Sequence, residues 1–250
     1  MFYKELLEKT NSGKEYLLSA PIIESVMLGR FDLSTYIAFL NQAYHHVKHT
    51  VPLLMAAGSR LANDQRYLQP AILEYIDEEA GHELWILDDM EACGIDRGQA
   101  AGLPASHESE VMVSYLYDTV NRKKPLGIFG MVLVLEGTSA GLATEVAKIV
   151  RQQLALPAEA MSYLESHGRL DQQHLKGFEG LMDSIEDRDT QDAIIHTAEA
   201  VYRLYGDVYR AIPAQAEIWR EVLSSSTNAS STIVSSTINS STIVSSAGVA

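Results

Sequence analysis

Apolar residues recur at mixed three- and four-residue intervals along most of the chain before residue 224, and strand-type alternation is nearly absent there. The pattern predicts a long helix capped by Asp32 or Ser34 and running from Tyr36 to about Leu61, kinked where Pro52 removes a backbone hydrogen bond. A second long helix is expected from about Tyr67 to Cys93, then a loop over 96–106 and a helix from about Glu108 to Asn121. The stretch Gly127 to Leu135 is apolar all round, the mark of a helix central to its fold, and that helix is expected over about 126–153. Its Gly137 to Gly141 segment, made of small residues, should let another helix approach closely. Pro157 marks a further start, leading to a helix that fades near Asp183, and the last helix is expected over about 188–211. Together these predict an all-α fold, a compact bundle of about seven helices forming one domain over residues 1–223.

Residues 224–250 differ in kind. Three tandem pentads, starting at Ser230, Ser235 and Ser240, repeat Ser-Ser-Thr-Ile followed by Val or Asn. Ser and Thr are too polar to build a core, so a disordered, low-complexity tail is expected over 224–250.

Composition narrows the function classes. With 250 residues and 46% apolar content the chain can bury a sizeable single core. A formal charge of −14 argues against nucleic acid and against an anionic membrane surface. The charged start has no signal-peptide character, and no run of 18 or more apolar residues offers a membrane span, because Glu136 interrupts the longest. The lone Cys93 excludes an internal disulfide and suits a reducing cytoplasm, where the protein is expected to reside.

Candidate chemistry concentrates in three elements. His167, Asp171 and His174 stand at i, i+4 and i+7, one face of a helix. Glu79 and His82 form an i, i+3 pair of the kind that carboxylate-bridged di-iron helical proteins use. Glu136 follows the apolar run, and a buried carboxylate there needs a partner. A lone helical histidine is more often a surface residue, and the run Asp77–Glu78–Glu79 alone would pass for a solvated face. Three histidines and three carboxylates on three helices instead suit a two-metal site for a borderline divalent ion such as iron, manganese or zinc.

In this order and at these separations, the three elements resemble the signature of the haem-oxygenase-like di-iron oxidases and oxygenases, relatives of the thiaminase-II and PQQ-synthesis proteins. The resemblance covers about residues 30–210 and includes Trp85 to Asp89, Leu135 to Gly137, and Phe39, Gln42 and Tyr44. It implies a haem-oxygenase-like bundle and two Fe ions held by Glu79, His82, Glu136, His167, Asp171 and His174. It also implies activation of O2 to oxidise a small metabolite such as a fatty acid, an amino acid or an amine, and it is compatible with a homodimer. Two departures matter: no histidine precedes His45, where haem oxygenases carry a proximal ligand, and the one cysteine, Cys93, falls outside the matched motifs, whereas thiaminase-II proteins use a nucleophilic cysteine on a core helix. His45, His46, Lys48 and His49 crowd one stretch, and Tyr44, His45 and His49 are candidates for a substrate pocket. Two other classes stay open: a metal-free hydrolase or ligand-binding protein of the thiaminase-II type, and a non-catalytic interaction protein.

Overall fold

The computed structural model describes residues 1–242; nothing is assigned to the side chains of Gln172 and Gln173 or to those beyond residue 225. Eleven α-helices, with three short 3-10 turns, account for the described chain: α1 (Phe2–Leu18), α2 (Pro21–Met27), α3 (Leu33–Val47), α4 (Thr50–Gly58), α5 (Gln69–Glu79), α6 (His82–Ala92), α7 (Arg97–Gly102), α8 (His107–Arg122), α9 (Ile128–Leu154), α10 (Ser162–Asp183) and α11 (Arg188–Thr242). The class is the all-α one expected, with more helices than about seven because two expected helices are broken and α1, α2 and α7 lie where the pattern named none.

The first break lies between α3 and α4, at Lys48 and His49. Pro52, in the first turn of α4, has no N–H to offer the carbonyl of Lys48, so the chain restarts ahead of it. Asp32 caps α3, its carboxylate accepting from the Thr35 N–H at 3.0 Å. The second break lies at Ala80 and Gly81. Gly81 holds φ +89°, a left-handed conformation open to glycine and strained for other residues, and it turns α5 sharply into α6. Residues 96–106 also differ from the loop expected: Asp96 accepts from the Gln99 N–H at 2.9 Å and starts α7.

Helix α9 is the centre. Ile128 to Val134 are all buried, α10 lies along α9, and α11 packs on α1, α3 and α9. By length and hydropathy Pro125–Leu154 could cross a membrane, contrary to the sequence expectation; in this fold 67% of its apolar window is buried against other helices. The expected close approach through Gly137 and Gly141 is not made there, since a Cβ added to either would meet nothing within 4 Å. It is made from the opposite helix, where Gly168 of α10 sits on Thr144 of α9.

The last helix runs past the expected end near 211. Ile212, Ala216 and Trp219 are buried in the second of two hydrophobic clusters, beside Ile37 and Met161, which explains the extension to that point. The backbone stays helical to Thr242; of the expected tail over 224–250, residues 243–250 lie outside the described residues.

Candidate metal centre

The six residues of the three sequence elements come from four helices and gather in two abutting groups. Glu79, His82 and His167 form one; Glu136, Asp171 and His174 form the other. Within each group one candidate ligand atom per residue lies within 4.8 Å of the others. Glu79, Glu136, His167 and Asp171 line a single cavity of about 530 Å³, including its opening, between α3, α4, α5, α9, α10 and α11.

The first group depends on the break at Gly81. Glu79 ends α5 and His82 begins α6, so the pair is not an i, i+3 step on one continuous helix as the spacing suggests. The turn folds them together, with Glu79 Oε2 3.2 Å from His82 Nδ1. Their side chains are only 11% and 4% exposed. His167 closes the group, its ring centroid 4.8 Å from that of His82. A carbonyl can only accept, so His167 Nδ1–H donates to the Tyr163 carbonyl at 3.0 Å and Nε2 is left with its lone pair free.

Asp89 holds these two helices in register. It sits on α6, fully buried, and accepts the backbone N–H groups of Ser162 at 2.9 Å and Tyr163 at 3.0 Å and the Ser162 hydroxyl, at the start of α10. Burial pushes its carboxyl up to about 6 in spite of those donors.

The second group is richer in unmet acceptors. Glu136 and Asp171 are 6% and 1% exposed, and His174 Nδ1 stands 3.5 Å from Glu136 Oε1 and 3.7 Å from Asp171 Oδ1. Glu136 Oε2, Asp171 Oδ1 and His174 Nδ1 are all buried without a hydrogen-bond partner. Ser139, one turn beyond Glu136 on α9, donates its hydroxyl to the other oxygen of Asp171. Burial raises the pKa of Glu136 and of Asp171, with neighbouring carboxylates adding to the effect. The Glu136 carboxylate beside it, outweighing burial, raises that of His174. In Glu79 burial works the same way but is outweighed by His82, and the net shift is downward; in His167 burial lowers it. Carboxylates crowded into low dielectric with orphaned oxygens lack positive charge, and a divalent cation supplies it. Imidazole nitrogen with carboxylate oxygen is a donor set that iron accepts, so the residues present fit such a metal.

One participant escaped sequence reading. Glu78, passed over as part of an acidic run, places Oε2 3.4 Å from His174 Nε2. His174 thus has a carboxylate on each side, and a partner on Nε2 leaves Nδ1 to face the second group. No periodicity argument distinguishes Glu78 from Asp77; the helix ending one residue later decides it.

The candidate pocket residues Tyr44, His45 and His49 line neither this cavity nor the apolar one beside it. His45 Nε2 is tied to the Leu103 carbonyl at 2.7 Å, Lys48 Nζ stands over the Tyr44 ring at 4.8 Å, and His49 Nδ1 pairs with the Tyr117 hydroxyl at 3.1 Å. His45 and His49 tether the junction of α3 and α4 to α8 and its preceding loop. His46 is the histidine of that stretch that lines the cavity. Cys93 lies among hydrophobic residues away from both cavities, and burial pushes its thiol up to about 12, leaving no thiolate near neutral pH.

This architecture is that of the heme oxygenase-like proteins. A domain of unknown function with a heme oxygenase-like fold from Shewanella denitrificans is 20% identical, with a TM-score of 0.77 covering 87% of this chain and 94% of that one. A TenA homologue from Pyrococcus furiosus is 14% identical (TM-score 0.67, covering 85% and 100%), and heme oxygenase-1 from Synechocystis, solved with heme, is 10% identical (TM-score 0.68, covering 90% and 98%). At these identities the likeness shows the fold alone. No curated protein matches the chain. Residues 37–206 match the family described as iron-containing redox enzymes, and the chain belongs to that family.

Proposed function

We propose that this protein is an O2-dependent oxidoreductase with a non-haem di-iron centre, oxidising a small metabolite. Glu79, His82 and His167 would hold one iron and Glu136, Asp171 and His174 the other. The observation that carries this reading is the pair of abutting ligand groups with three orphaned, buried donor atoms in the second. When bound, the irons supply redox chemistry toward dioxygen that amino-acid side chains lack.

The chain's own residues contribute position and apolar walls. The Tyr163 carbonyl fixes the tautomer of His167, and the Ser139 hydroxyl fixes the rotamer of Asp171. Glu78 sets His174 with Nδ1 toward Glu136 and Asp171. Met131, Val132, Leu54 and Tyr75 give the cavity apolar walls beside its ligand groups. The thiaminase-type alternative finds no ready thiolate, since burial pushes the Cys93 thiol up to about 12 and Cys93 lines neither cavity.

The test is anaerobic loading with ferrous ion, removal of the excess and metal analysis, followed by oxygen-uptake measurement. About two irons per chain and oxygen consumption faster than that of free ferrous ion are expected. A folded protein that retains no stoichiometric iron, or retains it without reacting with oxygen, would overturn the proposal.

A further inference from the structure

A second cavity adjoins the centre and differs from it in kind. It encloses about 820 Å³, including its opening, between α2, α3, α9, α10 and α11. Ser139, Tyr163, His167 and Tyr205 belong to both cavities, so the second ends against a candidate ligand of the first group and against the serine that holds Asp171 of the other. Away from that end its walls are aliphatic and aromatic: Ile22 and Val26 of α2, Phe39 of α3, Leu142 and Val146 of α9, and Ile212 of α11.

No Asp, Glu, Lys or Arg lines it. Most of its hydroxyls are already committed to the protein. Tyr36 donates to the Ala160 carbonyl at 2.7 Å, Thr138 to the Val134 carbonyl at 2.6 Å, Thr35 to Asp32 at 2.8 Å, and Tyr209 to Tyr205 at 3.4 Å. A polar or zwitterionic molecule placed along these walls would give up its water without compensation, whereas an apolar chain gains from leaving water.

We infer that this cavity is the substrate channel, and that the substrate carries an extended hydrocarbon chain that lies along it and brings one end to His167 and Ser139. The inference rests on the redox centre proposed above and selects among its substrates: a fatty acid or long-chain amine fits, and a free polar amino acid does not. The polar terminus sits at one of the two ends of the channel, where metal charge or solvent can receive it.

The experiment measures dissociation constants, by calorimetry, for straight-chain carboxylates from butanoate to hexadecanoate and for the matching alkylamines, with lysine and glutamate as polar controls. Metal-free and iron-loaded protein are titrated side by side, with iron content measured on each. Affinity should rise by about fourfold per added methylene until the channel is full. The carboxylate and amine series differ in which terminus the centre accepts; both should show the length dependence. Val146→Trp, on the channel wall, should move the plateau to shorter chains while leaving iron content unchanged; Leu142→Trp serves as a second plug if the first fails to fold. Absence of length dependence in the wild type, tighter binding of the polar controls, or an unshifted plateau in a folded plug variant would overturn the channel. Two bound irons without length dependence would leave the centre standing and remove the channel. Length-dependent binding in protein that retains no iron after anaerobic ferrous loading would do the reverse.

Discussion

Gly168 lies directly after His167, on the face of α10 that meets α9. A Cβ built there would run into Thr144 Oγ1 and stand 2.8 Å from the Thr144 backbone nitrogen. The hydroxyl can rotate away, but the backbone cannot. Relief therefore requires α10 and α9 to separate by about 0.6 Å to reach the 3.4 Å of ordinary contact. Glycine to alanine inside a helix normally gains ~1 kcal/mol. Overpacking of this kind costs about 1–3 kcal/mol, so Gly168→Ala should end neutral to ~2 kcal/mol destabilised. Gly177, on the same helix with nothing within 4 Å of its added Cβ, receives the gain without the cost. In metal-free protein, thermal denaturation followed by circular dichroism should show Gly177→Ala raising Tm by about 2–4 °C and Gly168→Ala failing to raise it. The same displacement moves Asp171 and His174 away from Glu136, so iron affinity in Gly168→Ala should fall about ten- to hundredfold, as when an orienting partner of a ligand is lost. Equal stabilisation by the two substitutions, with iron affinity unchanged in both, would refute the argument that this contact sets the distance between the ligand-bearing helices.

Asp171→Ala and His174→Ala should each abolish stoichiometric iron in the second group while far-ultraviolet circular dichroism stays at wild type, because each removes a candidate ligand and little packing. Glu78→Ala should weaken iron binding by about 10–100-fold, with Glu78→Gln weakening it less, read by competition with a chromogenic chelator. His46 is 6% exposed and burial lowers its pKa to about 4, so the fold favours its neutral form. The stability this brings is full above pH 6.5 and is lost as pH falls from 6.5 toward 4, by up to ~3 kcal/mol; urea melts over that window should show the loss and a His46→Asn variant a smaller one. Removal of residues 224–250, which carry no candidate ligand, should leave Tm and iron content unchanged.

The enclosure of α9 was legible in the sequence, because a helix apolar on every side, as Gly127 to Leu135 are, has to leave water all round; that other helices surround it is shown by the fold. Legible too was the common face of His167, Asp171 and His174, since helical periodicity puts i, i+4 and i+7 on one side whatever surrounds them; that this face divides between two groups was not. The acids and histidines to consider could be read the same way, for a carboxylate such as Glu136 within an apolar run needs a partner. Periodicity assumes an unbroken helix, and it misled where backbone conformation intervened. Gly81 takes a positive φ that no spacing reveals, and that turn places Glu79 against His82 and brings Glu78 to His174. Distances between elements far apart in the chain were also out of reach. Gly168 meeting Thr144 and Asp89 capping α10 depend on how helices dock. The same docking turned His45 and His49 toward α8 and its preceding loop, left His46 on the cavity, and opened an apolar channel whose walls come from five separate helices. Local sequence determines which face each helix shows; which faces meet, and what space remains between them, is a property of the packed whole.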